Sequence, residues 1–129
     1  MIDEKLHRGV ARLLHDPNLR AAWVTGDFSR MYIRPHSMRA IPGISKMIRT
    51  FDIANVMVKQ SSRGQGVFRE FVSYCETLNR PIYIENVTEP RLLGFFIKRG
   101  YLSCEPLGSL TPCFIRIPGD ANAPAPVEE

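Results

Sequence analysis

The most informative part of this chain is residues 51–101, which read FDIANVMVKQSSRGQGVFREFVSYCETLNRPIYIENVTEPRLLGFFIKRGY. The apolar, β-branched residues at its start predict a buried strand. A short loop rich in arginine and glycine follows, and it leads directly into a helical pattern from Val67 to Leu78. Such a junction brings unpaired backbone N–H groups and the positive end of a helix to one place. We therefore predict that Arg63–Phe68 binds a phosphate or pyrophosphate.

The rest of the chain supplies further helices and strands. Apolar spacing predicts a helix at 2–15, with Ile2 on its buried face, and Asp16 is expected to cap a short second helix. Trp23 and Val24 are expected to be buried near that helix. Strands are predicted at 28–39, 44–59, 82–87, 101–105 and 112–117, with a turn at 41–43 and a helix from the Thr88 cap to Gly100. The two long strands should be antiparallel, and the run 53–58 should be covered on both faces. This alternation predicts an α/β fold with a mixed sheet.

Length and composition indicate one domain. The chain has 129 residues, of which 44% are hydrophobic, so residues 1–117 are expected to form a single domain. The last twelve residues, PGDANAPAPVEE, predict a disordered acidic tail at 118–129. No apolar run approaches the roughly 20 residues of a membrane span, and no secretion signal is recognisable. The three cysteines lack metal-ligand spacing and are odd in number, so we expect no metal and a cytoplasmic protein with reduced thiols.

The charge is basic outside the tail. The whole chain carries +4, and the first 117 residues carry +7 because the tail holds three acids and no base. This balance is typical of a soluble surface, and it also suits an acidic partner such as a phosphorylated cofactor or a nucleic acid. The bases on the two N-terminal strands could steer an acidic substrate or keep the protein soluble, and we favour the solubilising role; they are Arg30, Arg34, Arg39, Lys46 and Arg49. Formation of a homodimer remains an open alternative.

Two kinds of nucleotide site compete for the loop. No P-loop string G-x-x-x-x-G-K-[ST] occurs. A dinucleotide site would use Gly64 and Gly66, with Glu85 at the strand end to hold a ribose. Arg69 stands where that motif needs its third glycine, and the chain has room for one half of such a site. The dinucleotide reading remains an alternative.

Arg63-Gly64-Gln65-Gly66, after the strand ending Val56-Met57-Val58, resembles the acetyl-CoA loop [RQ]-x-x-G-x-[GA] of the GNAT superfamily of N-acetyltransferases. The similarity covers about residues 44–105 and includes the strand ending at Asn86 and the Gly100-Tyr101 pair. It implies a mixed, mostly antiparallel, twisted sheet flanked by helices. It also implies an acetyl-CoA-dependent enzyme that acetylates a primary amine by direct attack in a ternary complex.

The resemblance also implies cofactor-binding residues. The backbone of Val56, Met57 and Val58 would pair with the pantetheine arm, and Asn86 would lie near that arm. Arg63 begins the motif, and the pyrophosphate would bind to the amides of the next five residues, Gly64, Gln65, Gly66, Val67 and Phe68. Phe68 replaces the last small residue of the motif, and Phe96 stands where many members carry a proton-donating tyrosine.

Acetyl transfer to an amine needs a base and a donor for the thioester oxygen. Asp52 and Glu85 are the candidate bases, and either could instead form an ion pair with an arginine. His36 is a third candidate base, and Tyr83 or Tyr101 could replace the missing acid. Cys104 has no histidine near it in sequence, which disfavours a covalent mechanism. The backbone N–H of Met57 or Val58 is the expected oxyanion donor.

The acceptor is expected to be a small molecule or a protein that bears an amine, and an amine on nucleic acid stays open. The alternative function is an inactive GNAT-like module that binds CoA or another macromolecule.

Overall fold

The computed structural model describes residues 1–40, 45–87, 90–104 and 112–118. Three helices and six strands follow one another there, in the chain order α1 (Glu4–Leu14), β1 (Ala22–Thr25), β2 (Ser29–Arg39), β3 (Ile48–Val58), α2 (Val67–Glu76), β4 (Ile82–Ile84), α3 (Pro90–Lys98), β5 (Leu102–Ser103) and β6 (Phe114–Arg116). A single 3₁₀ turn, Gln60–Ser62, separates β3 from the loop before α2. None of these helices has the length and apolarity needed to cross a bilayer.

The strands form one mixed sheet in the order β1-β2-β3-β4-β6-β5. Every neighbouring pair is antiparallel except β3 and β4, which are parallel. This arrangement confirms the predicted α/β fold with a mixed, mostly antiparallel sheet. The long β2–β3 pair is antiparallel, as predicted, and carries two register shifts.

The helices cover one face of the sheet and enclose the main core. The sheet contributes the buried residues Met31, Ile33, Phe51, Ile53, Ile82 and Ile84, and the helices contribute Leu6, Val10, Phe71, Val72, Cys75 and Phe96. Cys75 on α2 is fully buried in this core. A smaller cluster lies on the other face, formed by Tyr83, Cys104, Cys113 and Ile115. All three residues of β4 are therefore buried, as expected for a strand covered on both faces.

Asp3 fastens α1 to the β1–β2 turn. Its buried carboxylate accepts hydrogen bonds from the backbone of Leu6, Asp27 and Phe28 and from Ser29 Oγ, at 2.9–3.3 Å. Burial opposes ionisation, but these four donors outweigh it and lower the pKa of Asp3. One side chain thus caps the helix and fixes the hairpin beside it.

Several predictions for the N-terminal third are wrong. Helix α1 begins after Asp3, so Ile2 is exposed rather than buried. No second helix follows, because Asp16 Oδ1 accepts from Asn18 N and closes a local turn. Trp23 lies exposed on β1, a strand that the sequence analysis did not predict.

The apolar run in β3 is covered differently from the prediction. The fully covered residues are 50–53, whereas Asn55 and Met57 are exposed. The predicted turn at 41–43, the Thr88 cap and the tail at 119–129 lie outside the described residues. Helix α3 begins at Pro90, and Gly100 adopts φ 81° at its end, which confirms the predicted terminator.

Candidate functional site

The parallel strands β3 and β4 separate partway along their length. They pair through Phe51–Ile53 and Ile82–Ile84, and Glu85 N donates to Ile53 O at 3.1 Å beyond that register. Asn86 then adopts φ 57°, and Val87 N donates to Pro112 O, so the chain turns away from β3 toward β6. Strand β3 continues to Val58. No described strand pairs with residues 54–58 on this side, and we call the space beside them the gap.

The alternation of the antiparallel ladder shows which amides face the gap. Lys59 N donates to Phe28 O at 2.8 Å, so Lys59, and with it Met57, directs its backbone polar groups toward β2. Val56 and Val58 direct theirs to the opposite edge, into the gap. Ala54 is the extra residue at a bulge between the Tyr32–Asn55 and Ile33–Ile53 pairs. Of the predicted oxyanion donors, Val58 therefore fits the gap and Met57 does not.

The glycine loop, residues 63–68, stands at the end of the gap. Gly64 and Gly66 have φ values of 77° and 80°, which favour glycine. Gly66 is the N-cap residue of α2 and no side chain caps the helix, whose first backbone bond is from Glu70 N to Gly66 O. Within the described part of the chain, the backbone N–H groups of residues 64–69 have no acceptor. Six amides at the positive end of a helix suit a phosphate group.

Two side chains of the loop point elsewhere. Arg63 Nε donates to Val58 O at 3.3 Å, so its guanidinium lies along the edge of β3 rather than over the amides. The Phe68 ring packs edge-on against Phe96, with the centroids 6.0 Å apart. Phe68 is thus directed into the core, and its size does not fill the space in front of the helix.

Asp52 and Glu85 lie beside the split between the strands and share two arginines. The Asp52 carboxylate accepts hydrogen bonds from Thr50 Oγ1 at 2.6 Å, from Arg34 Nε at 3.2 Å and from Arg39 Nη2 at 2.5 Å. Arg39 Nη2 also reaches Glu85 Oε1 at 2.9 Å, and Arg34 Nη2 binds the same oxygen. We call Arg34, Arg39, Asp52 and Glu85 the arginine–carboxylate cluster. It brings together both predicted bases.

The cluster was only half predicted. Arg34 and Arg39, which were predicted to be solubilising surface residues, are instead paired with the two carboxylates. Asp52 has no exposed side-chain surface, whereas 23% of the Glu85 side chain is exposed. A molecule arriving from solvent can therefore reach Glu85 and not Asp52.

The other candidate proton carriers are less well placed. His36 Nε2 lies 3.1 Å from Asp16 O and Nδ1 lies 3.1 Å from Arg80 Nη2, so both ring nitrogens are engaged. Tyr101 donates to Glu76 Oε2 at 2.9 Å, near the C-terminal end of α2 and away from the glycine loop. Tyr83 lies under Arg39, whose guanidinium carbon is 3.8 Å from the ring centroid, and burial raises the pKa of Tyr83. In the described residues, no three His, Cys, Asp or Glu side chains converge to hold a metal ion.

The fold is similar to that of AtaT. A structure of AtaT complexed with acetyl-methionyl-tRNAfMet matches with a TM-score of 0.53 and 12% identity, over 70% of this chain and 62% of that chain. A mutant AtaT toxin bound to the C-terminus of the antitoxin AtaR and acetyl-CoA matches with a TM-score of 0.50 and 13% identity, over 69% and 57%. The mutant with the AtaR C-terminus alone matches with the same score and identity, over 69% and 58%.

At this identity the likeness shows a shared fold, and that fold is GNAT-like. The chain spans about 60% of the length of these structures. No protein-family model and no curated protein sequence matches it.

Proposed function

We propose that this chain is an N-acetyltransferase that moves the acetyl group of acetyl-CoA to a primary amine by direct attack in a ternary complex. The observation that carries the proposal is the edge of β3 that no described strand pairs with. It leads straight to six amides at the start of α2 that have no acceptor among the described residues. An extended arm with amide groups fits the first feature, and a pyrophosphate fits the second. The AtaT structure with acetyl-CoA supports the same cofactor for this fold.

The cofactor would lie along the gap. Its pyrophosphate would accept hydrogen bonds from residues 64–68, and its pantetheine arm would pair with the backbone carbonyl of Val56 and with the backbone groups of Val58. Arg63 would release Val58 O and turn toward the phosphates, which a guanidinium binds well. Asn86, exposed where the chain leaves β4, would lie beside the arm.

This orientation sets the position of the thioester. The acetyl group is at the far end of the cofactor from the pyrophosphate, so it would lie toward the split and the arginine–carboxylate cluster. Among the described residues, the amide nearest the split that faces the gap without an acceptor is that of Val56, which replaces Val58 as the proposed donor to the carbonyl oxygen. Negative charge grows on that oxygen in the transition state, so a fixed N–H there lowers the barrier.

The reaction needs a neutral amine, although a free alkyl amine has a pKa of about 10. The amine nitrogen attacks the thioester carbon, the C–S bond breaks, and the CoA thiolate leaves. Glu85, the exposed carboxylate, would accept the amine proton, directly or through one water. Asp52 would position Arg34 and Arg39 around Glu85. A thiolate is a fair leaving group near neutral pH, so the mechanism needs no acid in place of Phe96.

The acceptor that we propose to test first is the amine of an aminoacyl-tRNA. AtaT was solved in complex with acetyl-methionyl-tRNAfMet, and the first 117 residues of this chain carry a net charge of +7, which suits RNA. Amine-bearing small molecules and proteins are the comparison substrates.

Release of free thiol tests the proposal. The protein is incubated with acetyl-CoA and, separately, aminoacyl-tRNA, polyamines and lysine peptides, and the thiol is measured together with CoA affinity by calorimetry. Thiol release above background is expected with at least one amine class. CoA binding without turnover would instead support the alternative, an inactive CoA-binding module, which the pairing of both carboxylates with arginines favours. A rise in melting temperature with NAD but not with CoA would overturn the cofactor assignment.

A further inference from the structure

Two aromatic side chains and one arginine lie together on one face of β1 and β2, where Trp23 and Arg30 are exposed and Tyr32 is half-buried. Trp23 is 41% exposed, and the guanidinium carbon of Arg30 lies 4.2 Å from the centroid of its ring. Tyr32 lies directly across from Trp23 in the strand register, with the ring centroids 5.3 Å apart and the planes at 54°. We call Trp23, Arg30 and Tyr32 the tryptophan platform.

The platform is not part of the core. Met31 and Ile33 alternate with its β2 members and are fully buried on the helix-covered face, and Val24 is buried beside them. The platform therefore faces the opposite side of the sheet. Tryptophan and tyrosine are enriched at binding interfaces, where one end of the ring is buried and the other is in contact with water. A stacked cation stabilises an exposed strand by only about 0.5–1 kcal/mol, so stability gives little reason to keep a tryptophan there.

The surroundings of the platform are polar and basic. Its neighbours in register, Thr25 and Asn55, are exposed and can form hydrogen bonds. The hairpin at residues 20–39 contains four arginines and one aspartate. Two of those arginines are held by the arginine–carboxylate cluster, which leaves Arg20 and Arg30, both exposed, to attract a negatively charged ligand.

These features fit an unpaired nucleobase on a single-stranded nucleic acid. A base is flat and stacks on an indole ring or on a guanidinium plane, and every base presents such a face. Its phosphates are attracted by the arginines. A duplex fits poorly because its bases are already stacked. We propose that the tryptophan platform binds an unpaired base at the end of a single-stranded RNA or DNA segment.

The platform is close to the proposed active site. Trp23, Tyr32 and Asn55 are consecutive partners across β1, β2 and β3, so Trp23 lies about 10 Å from the strand that borders the gap. A strand end held there would bring a terminal group toward the thioester. That consequence rests on the proposed function, whereas binding to the platform does not.

Fluorescence of the intact chain tests the binding. Trp23 is the single tryptophan, so its emission reports on the platform alone. The probes are a hexa-adenylate RNA, the DNA of the same sequence and a short RNA duplex, each titrated without acetyl-CoA. Both single strands are expected to quench the emission, and the duplex is expected to bind at least tenfold more weakly.

Variants separate stacking from general charge. Trp23→Ala and Arg30→Gln are expected to weaken binding of a dye-labelled hexa-adenylate about tenfold, the loss typical of one stacked base. Trp23→Phe keeps a ring and should lose less. Arg91→Gln, an exposed base on α3 at the opposite face of the sheet, is the matched control and should change the affinity less than twofold.

The proposal fails if the single strands do not quench Trp23, if Trp23→Ala binds as well as the parent, or if Arg30→Gln and Arg91→Gln lose affinity equally. Circular dichroism of each variant confirms the fold, and Trp23→Phe preserves the test if Trp23→Ala unfolds. RNA binding without acetyl transfer would contradict only the proposed function, and thiol release without RNA binding would contradict only this inference.

Discussion

The guanidinium group of Arg39 donates two hydrogen bonds to the carboxylate of Asp52, from Nη2 at 2.5 Å and from Nε at 3.4 Å. The acceptor is fully buried, so this ion pair is shielded from the solvent that weakens surface pairs. Removing this negative partner would leave Arg34 and Arg39 to share the single, partly exposed carboxylate of Glu85.

The two carboxylates should respond differently to neutralisation. Asp52→Asn should lower the free energy of unfolding by about 3 kcal/mol, the usual cost of breaking a buried pair. Glu85→Gln should have nearly the same free energy of unfolding as the parent, but its kcat should fall about 100-fold or more, as expected for the loss of a general base. Its affinity for CoA should change little. Urea unfolding, kcat and calorimetry measure the three quantities. Full turnover by Glu85→Gln would remove Glu85 as the base, and loss of turnover in a stable Asp52→Asn would assign that role to Asp52.

The glycine loop should distinguish charge from backbone strain. Gly66 has φ 80°, and asparagine and aspartate are both enriched in this region among non-glycine residues. Gly66→Asn should therefore report strain, and Gly66→Asp should add repulsion against the pyrophosphate. We expect calorimetry to show a CoA affinity for Gly66→Asp at least about tenfold below that of Gly66→Asn, by analogy with other charges at helix N-termini in partly buried sites. Gly94→Asp, on the exposed surface of α3, is the control. Equal affinities for the two Gly66 variants would contradict the assignment.

Restoring a tyrosine at position 96 should not create an acid. Phe96 is fully buried and lies within 6.0 Å, centroid to centroid, of the rings of Phe68, Phe95, Tyr101 and Phe114. Phe96→Tyr would bury a hydroxyl among them at a cost of about 1–3 kcal/mol. We expect a lower melting temperature and no gain in kcat. A rise in kcat would show that the ring of residue 96 reaches the thiolate after all.

Acid should weaken the link between α1 and the β1–β2 turn. The pKa of Asp3 is lower in the folded protein than in the unfolded chain, so its contribution is complete above about pH 4 and disappears as the pH falls through the folded value. His7 adds to the loss, since burial lowers its pKa and the unfolded state therefore binds its proton first, below about pH 6.5. Urea unfolding between pH 7 and pH 3 should show stability falling in both windows.

Asp3→Asn should be about 2–4 kcal/mol less stable than the parent at pH 7, because hydrogen bonds to a buried charge are lost. The free energy of unfolding of this variant should also fall less steeply than that of the parent below pH 4. Asp27→Asn, an exposed acid in the same turn, should follow the parent curve. Parallel curves for Asp3→Asn and the parent would contradict the role given to Asp3.

The sequence correctly predicted those helices and helix ends that depend on residues close to one another in the chain. Helix α2 has its apolar stripe, and Gly100 ends α3 because few other residues accept its backbone conformation. Strand β1 was missed because it has four residues and one buried side chain, Val24, too few for a recognisable alternation. The predicted second helix does not form because the Asp16 side chain accepts a hydrogen bond from the Asn18 backbone, which competes with helical hydrogen bonds.

The site depended on register, which local patterns do not encode. Arg34 meets Asp52 because the β2–β3 ladder carries an extra residue at Ala54; with an uninterrupted ladder, the same side chain would face a different partner. Arg39 reaches both carboxylates from the end of a long strand. The sequence could therefore indicate two acids near one cleft and an ion pair with an arginine as the alternative, but not which arginines lie between them.

The brief contact between β3 and β4 also has a mechanical consequence. Within the described ranges, the backbone pairing between the first three strands and the last three is short: it consists of Phe51–Ile53 with Ile82–Ile84 and the flanking bonds from Phe51 N to Pro81 O and from Glu85 N to Ile53 O. The sheet therefore consists of two halves that are held together by a short stretch of backbone hydrogen bonds. An extended ligand bound along the exposed edge of β3 would add hydrogen bonds where the two halves of the sheet diverge. Hydrogen exchange of the backbone amides at residues 82–85 should then slow when that ligand binds, since the β3–β4 pair would open less often.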